Sequence, residues 1–346
     1  MGLYNQDSFH TMDLPEDMKT TLAMLANHSL ASRTWSTYKT VQNHLTRCQQ
    51  ETNIRIDFPM NTTAVLVFTH WLFSSRGLSA TTVNTYIAGL RTLHLVKGFE
   101  VPALRPPIIQ QVIEGRRHID HIIARVENKP KRLPVTLNIM KLLKIEIKNM
   151  VESPVNKALL WSVCTIAFNG CMRIHELLAR KEGEYDPQVT LLRKDVVLKT
   201  DEATKEIQIK LKSPKEDRIG KGKIVDIYEN KGTICPVRAF ERYTRLSKHI
   251  ERNLPIFRLE NGSNLTGRRL NKTLKSLLGK HLNYNKGKIT SHSFRAGLAT
   301  LMGQLGFPDT QIMAMGRWSS SCFEDYMKLP RTRRIEIAQK IGKHLG

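Results

Sequence analysis

Apolar positions recur along most of this chain at helical spacing, and at strand spacing only over one short stretch. From about Leu14 the pattern is helical, and residues 29–49 set Trp35, Tyr38, Val41 and Leu45 on one stripe. Asn61 precedes an apolar run, TTAVLVFTHWLFSS, that Gly77 ends. Ser79 precedes ATTVNTYIAGLRTLHLVKG, closed by Gly98. Asn and Ser side chains accept from the free amides of a first helical turn, and glycine suits the residue that ends one. A further helix is expected over residues 107–125. Four helices predict a small bundle over residues 1–125. Residues 126–134, VENKPKRLP, hold two prolines and three basic residues and read as a basic interdomain linker.

A second domain is expected over residues 135–346. It opens with helices at 136–150 and 154–172, the second so apolar that it reads as a buried core helix. Three strand-like runs follow: VTLLRKDVVLKT, EIQIKLK and KIVDIYE, with SPKEDRIGKG as the turn between the last two. Helices resume at 237–248, 267–281, 291–305 and 309–315, with a short one through Tyr326. The tail, residues 331–346, is amphipathic, with Ile335, Ile337, Ala338 and Ile341. The expected fold is mainly α, with a small antiparallel three-stranded sheet in the second domain.

Charge changes this picture. Fifty-four Lys and Arg against 31 Asp and Glu give a net charge of +23. Residues 1–130 carry +3 of it and residues 131–346 carry +20. Such an excess predicts a polyanionic partner, most simply double-stranded DNA; the plainer alternative is a basic protein that is ribosome-associated or merely soluble. Candidate DNA contacts are Arg33, Lys39, Arg91, Arg116 and Arg117 on the polar faces of the bundle, and Lys212, Lys221, Arg268 and Arg269 in the second domain. Each competes with the reading of a solvated face. The five cysteines form no CxxC pair, which points away from a disulfide framework or zinc cluster and toward a reducing compartment. No 18-residue apolar run and no signal-peptide pattern is present, so no membrane association is expected.

The candidate chemistry sits in residues 291–326. His292 and Arg295 form HxxR at the start of an expected helix, on one face, with Ser291 or Thr290 available as its cap. The helix N-terminus itself favours a phosphate. Gly316, Arg317 and Trp318 follow as GRW, and Tyr326 stands eight residues after the tryptophan. A second HxxR, His44 and Arg47, falls in the bundle and reads as surface. Cleaving a phosphodiester with a side chain needs a nucleophile, cations for the charge on pentacovalent phosphorus, and a proton donor for the leaving oxygen. Arginines supply the cations without a metal, and no HExxH pattern is present. No metal or cofactor is expected.

HxxR, then GRW, then a tyrosine resembles the C-terminal signature of the tyrosine recombinases, the phage-integrase-like family. Its usual gap to the tyrosine is about nine. The GRW form looks most like the eukaryotic mobile-element branch, DIRS-like or Crypton-like. The resemblance implies an arginine at the end of a buried helix with an acidic residue three positions later; Arg173 and Glu176 match. It also implies a lysine in the turn between the second and third strands. Lys215 matches, with Lys212, Lys221 and Lys223 as rivals. It further implies these roles. Tyr326 attacks the phosphate and forms a 3′-phosphotyrosyl bond. Arg173 and Arg295 clamp the non-bridging oxygens, and Lys215 protonates the leaving 5′-oxygen. His292 accepts the tyrosine proton or holds the phosphate. Trp318 stands where many relatives carry His, and Glu176 orients Arg173 or His175. Residues 1–125 correspond to the family's core-binding domain in kind only. The expected assembly is a homo-oligomer, a dimer per site and a tetramer in synapsis, with the tail docking in trans. A mobile-element protein of this kind works in the nucleus, otherwise in the cytoplasm. The rival readings are a type IB topoisomerase and a domesticated DNA-binding protein without catalysis. The separate bundle, the lack of a long coiled-coil linker before the tyrosine and the GRW form favour a recombinase over the first. The presence of Arg173, Lys215, Arg295 and Tyr326 disfavours the second.

Overall fold

The computed structural model describes residues 2–100, 106–126, 133–200, 205–212, 222–281 and 289–318. The chain divides into two compact units, Met1–Lys129 and Pro130–Gly346. Most of the expected basic linker lies outside the described residues, as do the β2–β3 turn and everything after Trp318.

The first unit is helical: α1 (Glu16–His28), α2 (Ser32–Thr52), α3 (Thr62–Ser74), α4 (Ala80–Val96) and α5 (Pro107–Val126). Among the described residues the bundle has five α-helices rather than four, because the pattern starting at Leu14 is broken at Ser29, Leu30 and Ala31 into α1 and α2. Asn61 accepts from the Ala64 amide and Ser79 from the Thr82 amide, so both expected caps form. Val41 and Leu45 of α2 meet Phe68, Trp71 and Leu72 of α3, Val83, Ile87 and Leu90 of α4, and Ile109 and Ile113 of α5.

A histidine is sealed into this unit. His94 is fully buried. Its Nε2 accepts from the Met60 amide at 2.9 Å and its Nδ1 bonds the Leu90 carbonyl at 2.7 Å. The ring therefore carries its proton on Nδ1. A second proton would turn Nε2 from acceptor to donor, facing an N–H.

The second unit is built on α7 (Pro154–Asn169), buried from Ala158 to Phe168 except at Trp161. Ser153 caps it and Pro154 occupies its first turn, where a missing amide costs nothing. Thr136 caps α6 (Leu137–Asn149). A short α8 (Ile174–Leu177) follows α7. Next come β1 (Val196–Thr200), β2 (Lys205–Leu211) and β3 (Lys223–Tyr228), an antiparallel sheet in the order β1-β2-β3. Val196 pairs with Ile209 and Ile209 with Val225, so Ile207, Ile209 and Leu211 face the core from the middle strand. The first strand is shorter than its apolar pattern predicts. Arg193–Asp195 forms a 3-10 turn in which the Asp195 carboxylate accepts from the Leu192 amide. Helices α9 (Pro236–Leu246), α10 (Gly267–Leu278), α11 (Ser293–Gln304) and α12 (Asp309–Gly316) complete the unit. The mainly helical architecture with one small antiparallel sheet is as expected.

Helix α11 meets the entry to this unit backbone to backbone. The Val135 amide donates to the Ser293 carbonyl at 2.9 Å. A Cβ on Gly297 would lie 2.2 Å from the Val135 carbonyl oxygen, so only glycine allows this approach.

Burial holds the His94 imidazole below its ordinary pKa, opposed by its bond to the Leu90 carbonyl. His44 is shifted the same way by burial and by Arg76 and Arg47. The unfolded chain therefore binds more protons as pH falls through about 6.5, and stability present above that pH is lost below it. Thermal melts of the full chain between pH 7.5 and 5 are expected to show the transition of the first unit move down with acid. His94→Gln, which does not titrate, is expected to reduce that dependence. An identical pH profile in the variant would contradict the assignment.

Candidate active site

The sequence-predicted arginines converge. Helix α7 ends at Gly170, and the chain turns at once through Cys171, which is left-handed with φ 48°. Met172 is buried in the core, and Arg173 then stands at the N-cap of α8. Arg173 is thus not the last residue of the buried helix but the first after its turn. Glu176 folds back on it: Oε2 accepts from the Arg173 amide at 2.9 Å and Oε1 from its guanidinium at 3.1 Å. The Glu176 carboxylate thus bonds both the backbone and the side chain of Arg173, while the Glu176 amide donates to the Arg173 carbonyl at 2.8 Å.

Arg295 comes in on α11, one turn after its start. His292 occupies the N-cap position and is exposed, while Arg295 is buried with 7% of its surface exposed. Neither Ser291 nor Thr290 caps this helix by its side chain. Ser291 is buried and its amide donates to Asn271 Oδ1 of α10 at 2.7 Å, and the Ser293 hydroxyl accepts from the Thr290 amide. The helix start is thereby held by a tertiary contact. Arg295 donates through Nη1 to the Cys171 carbonyl at 3.0 Å. The Cys171 thiol donates back to the Arg295 carbonyl at 3.5 Å. Burial pushes that thiol up to about 11, so it remains protonated and inert.

The GRW triplet is a helix terminus. Helix α12 ends at Gly316, Arg317 turns left-handed with φ 55°, and the Trp318 amide donates to the Met313 carbonyl at 3.0 Å. The indole folds back across the glycine: a Cβ on Gly316 would lie 1.8 Å from the ring. Folded this way, the ring lies under the Arg295 guanidinium, 4.6 Å from carbon Cζ to the ring centroid. Trp318 thus packs against the phosphate-binding candidate.

Arg317 joins the same centre, although no sequence pattern assigned it a role. Its Nη2 donates to Glu176 Oε2 at 2.8 Å, and its Nη1 to the Gly170 carbonyl at 3.3 Å. Three guanidiniums, Arg173, Arg295 and Arg317, therefore gather about one carboxylate, a net charge of +2. Burial, and then repulsion from Arg173 and Arg317, lower the pKa of Arg295, partly offset by Cys171 and Glu176. Its Nη2 is buried and has no hydrogen-bond partner among the described residues. A buried donor left this way costs about 1–3 kcal/mol. Nearby, burial and the charges of Arg173, His292 and Arg180 hold His175 below its ordinary pKa, against the pull of Glu176.

The other candidates separate. Lys215, Lys221 and Tyr326 lie outside the described residues. Lys212 is engaged: its ammonium bonds Asp195 at 2.7 Å and the Pro187 and Thr190 carbonyls. It lines a cleft of about 60 Å³ with His175, Glu176 and Arg180. Arg116 pairs with Asp120 at 2.8 Å, and Asp120 in turn accepts from the Ala80 amide at the start of α4, a structural use. Arg117 pairs with Glu114. Lys39 and Arg91 are exposed. Arg269 lies 3.9 Å from Glu182, whereas Arg268 is exposed on α10. Among the described residues no helix is long and apolar enough to cross a membrane.

Gly316→Ala is expected to drive the indole off Arg295 and to cost about 1–3 kcal/mol, as overpacking does. Urea denaturation of the full chain measures this; an unchanged midpoint would show that the ring contact does not depend on the glycine.

No family model matches the sequence, and no curated protein matches it. Solved structures do share its fold. The XerH site-specific recombinase, bound to its difH substrate in a pre-cleavage complex, aligns at 15% identity with a TM-score of 0.54, covering 88% of this chain and 78% of that one. The Tn1549 transposon integrase with circular intermediate DNA aligns at 14% identity with a TM-score of 0.54, covering 94% and 98%. A lambda integrase dimer bound to a COC′ core site aligns at 12% identity with a TM-score of 0.52, covering 88% and 74%. The likeness lies in the fold, with little of the sequence retained: a mainly helical chain with a small three-stranded antiparallel sheet, the tyrosine recombinase fold.

Proposed function

We propose that this chain is a tyrosine recombinase that cuts and rejoins double-stranded DNA through a 3′-phosphotyrosyl bond on Tyr326. The observation that carries the reading is the buried Nη2 of Arg295, without a partner among the described residues, in a centre of net charge +2. A phosphodiester carries one negative charge, and attack by a phenolate brings the pentacovalent phosphorus to two. A cluster of guanidiniums stabilises that added charge in the transition state, and the planar fork fits non-bridging oxygens better than an ammonium does. Arg295 Nη2 and Arg173 are the donors to those oxygens.

The Tyr326 oxygen bonds phosphorus and gives its proton to His292. The bond from phosphorus to the 5′-oxygen breaks, and Lys215 supplies the proton that oxygen takes. Trp318 holds Arg295 and exchanges no proton. The phosphotyrosine retains the bond energy, so a 5′-hydroxyl of another strand reverses the step without ATP. The DNA complexes of the fold relatives support DNA as the partner. So does α10, where Arg268, Lys272 and Lys275 recur at helical spacing. Residues 1–125 serve as the core-binding domain of this reading. The GRW form ahead of Tyr326 supports a mobile-element recombinase of the Crypton-like or DIRS-like kind, working in the nucleus as a synaptic tetramer.

Wild-type protein is expected to become covalently linked to a nicked duplex carrying its own terminal sequence, with or without EDTA. Tyr326→Phe is expected to abolish the linkage. Linkage that survives this change would remove Tyr326 as the nucleophile. For binding, log affinity should fall linearly with log salt. Replacing Arg268, Lys272 and Lys275 together by Gln is expected to flatten that slope by up to about 2.7, at about 0.9 for each phosphate no longer neutralised. An unchanged slope would take α10 off the DNA.

A further inference from the structure

We propose that Arg317 is a positioning residue: it ties the segment that carries Tyr326 to the loop that carries Arg173, through the shared carboxylate of Glu176. This rests on the recombinase reading above. Three observations lead to it. Arg317 ends α12 in the left-handed region, φ 55° and ψ 43°, where glycine or asparagine ordinarily stands and other residues are disfavoured. Its side chain is nevertheless buried, at 8% exposure. Both terminal nitrogens are spent on protein: Nη2 on Glu176 Oε2 at 2.8 Å and the Cys171 carbonyl at 3.5 Å, Nη1 on the Gly170 carbonyl at 3.3 Å and Met172 Sδ at 3.2 Å. An arginine so engaged does not hold the phosphate itself.

What it does hold is the geometry around it. Glu176 Oε2 accepts from both Arg317 and the Arg173 amide, and Oε1 accepts from the Arg173 guanidinium. The carboxylate plane that aims Arg173 is therefore set in part from the end of α12. Tyr326 follows Arg317 by only nine residues of chain. Seating the end of α12 and orienting Arg173 become one event. Trp318, the next residue, makes the parallel connection to Arg295. The segment that leads to the nucleophile is thus coupled to both phosphate-binding arginines before it departs.

Single-turnover covalent linkage to the nicked duplex, at saturating DNA, tests this beside DNA affinity measured at the same salt. Arg317→Gly relieves the left-handed backbone, so any loss reports the side chain. It is expected to leave affinity within about threefold and to slow linkage by about tenfold to a hundredfold, the scale of a missing charged hydrogen bond. Arg317→Lys, which keeps charge without the fork, is expected to recover part of that loss. Arg173→Lys combined with Arg317→Gly is expected to be no slower than the slower single variant, because both act on one element. Linkage by Arg317→Gly at the wild-type rate would overturn the proposal. So would a loss lying wholly in affinity, or a double variant as slow as the product of the two losses. Should Arg317→Gly lack a cooperative melt, Arg317→Lys decides: slowed linkage at intact affinity supports the proposal and wild-type linkage overturns it. Failure of the wild-type protein to link would instead reject the recombinase reading.

Discussion

Glu176 is a single carboxylate set among three guanidiniums, and the second unit is arranged to keep it there. Each of its oxygens is occupied. One takes the Arg173 side chain, the other the Arg173 amide and the Arg317 side chain. Without it, three like charges in a largely buried space would repel, and buried charges are tolerated only when paired. With it, the centre retains an excess of two positive charges. The excess is visible at Arg295, whose Nη2 is buried and unbonded among the described residues. On the reading proposed above, that excess meets the second negative charge of the pentacovalent phosphorus.

The fold supplies this convergence from distant stretches of chain. Helix α7, buried from Ala158 to Phe168 except at Trp161, ends in a turn that needs left-handed Cys171 and delivers Arg173 directly. Helix α11 delivers Arg295 from 124 residues beyond Cys171. It sits close because Gly297 has no side chain to keep it from Val135. Helix α12 delivers Arg317 and Trp318 through a terminus that only Gly316 leaves open to the indole. Reciprocal bonds between Cys171 and Arg295 lock the first two elements together. Three backbone devices, two glycines and one left-handed cysteine, thus set the positions of three cations.

Structure was legible in the sequence where its determinant is local. Asn61 and Ser79 cap helices because a cap is decided within one turn of chain. The sheet and the apolar core helix were legible from alternation and from unbroken apolarity. Legibility fell where a tertiary contact competes. Ser291 looks like a cap, yet its amide is taken by Asn271 and its side chain is buried. The first strand looks longer than it is, because Asp195 folds the chain into a turn and pairs with Lys212. Arg116 reads as a solvated or DNA-facing cation, yet it braces the carboxylate at the start of α4. Arg317 was invisible for a different reason. Helix-end rules favour glycine at its position, and nothing within one turn reveals that a carboxylate 141 residues earlier in the chain receives it. An arginine just after a helix-ending glycine, beside a tryptophan, is the signal that was available.

The most direct test of the central claim is a crystal structure of the protein with a nicked duplex in which orthovanadate closes the break. Vanadate takes the five-coordinate form of the transition state. Arg295 Nη2 and Arg173 are expected at hydrogen-bond distance, about 2.7–3.0 Å, from its equatorial oxygens, with the Tyr326 oxygen apical. Arg317 should remain on Glu176, away from the vanadate. Vanadate bound without contact to Arg295, with its Nη2 bonded instead to a protein acceptor, would contradict the role assigned to this centre.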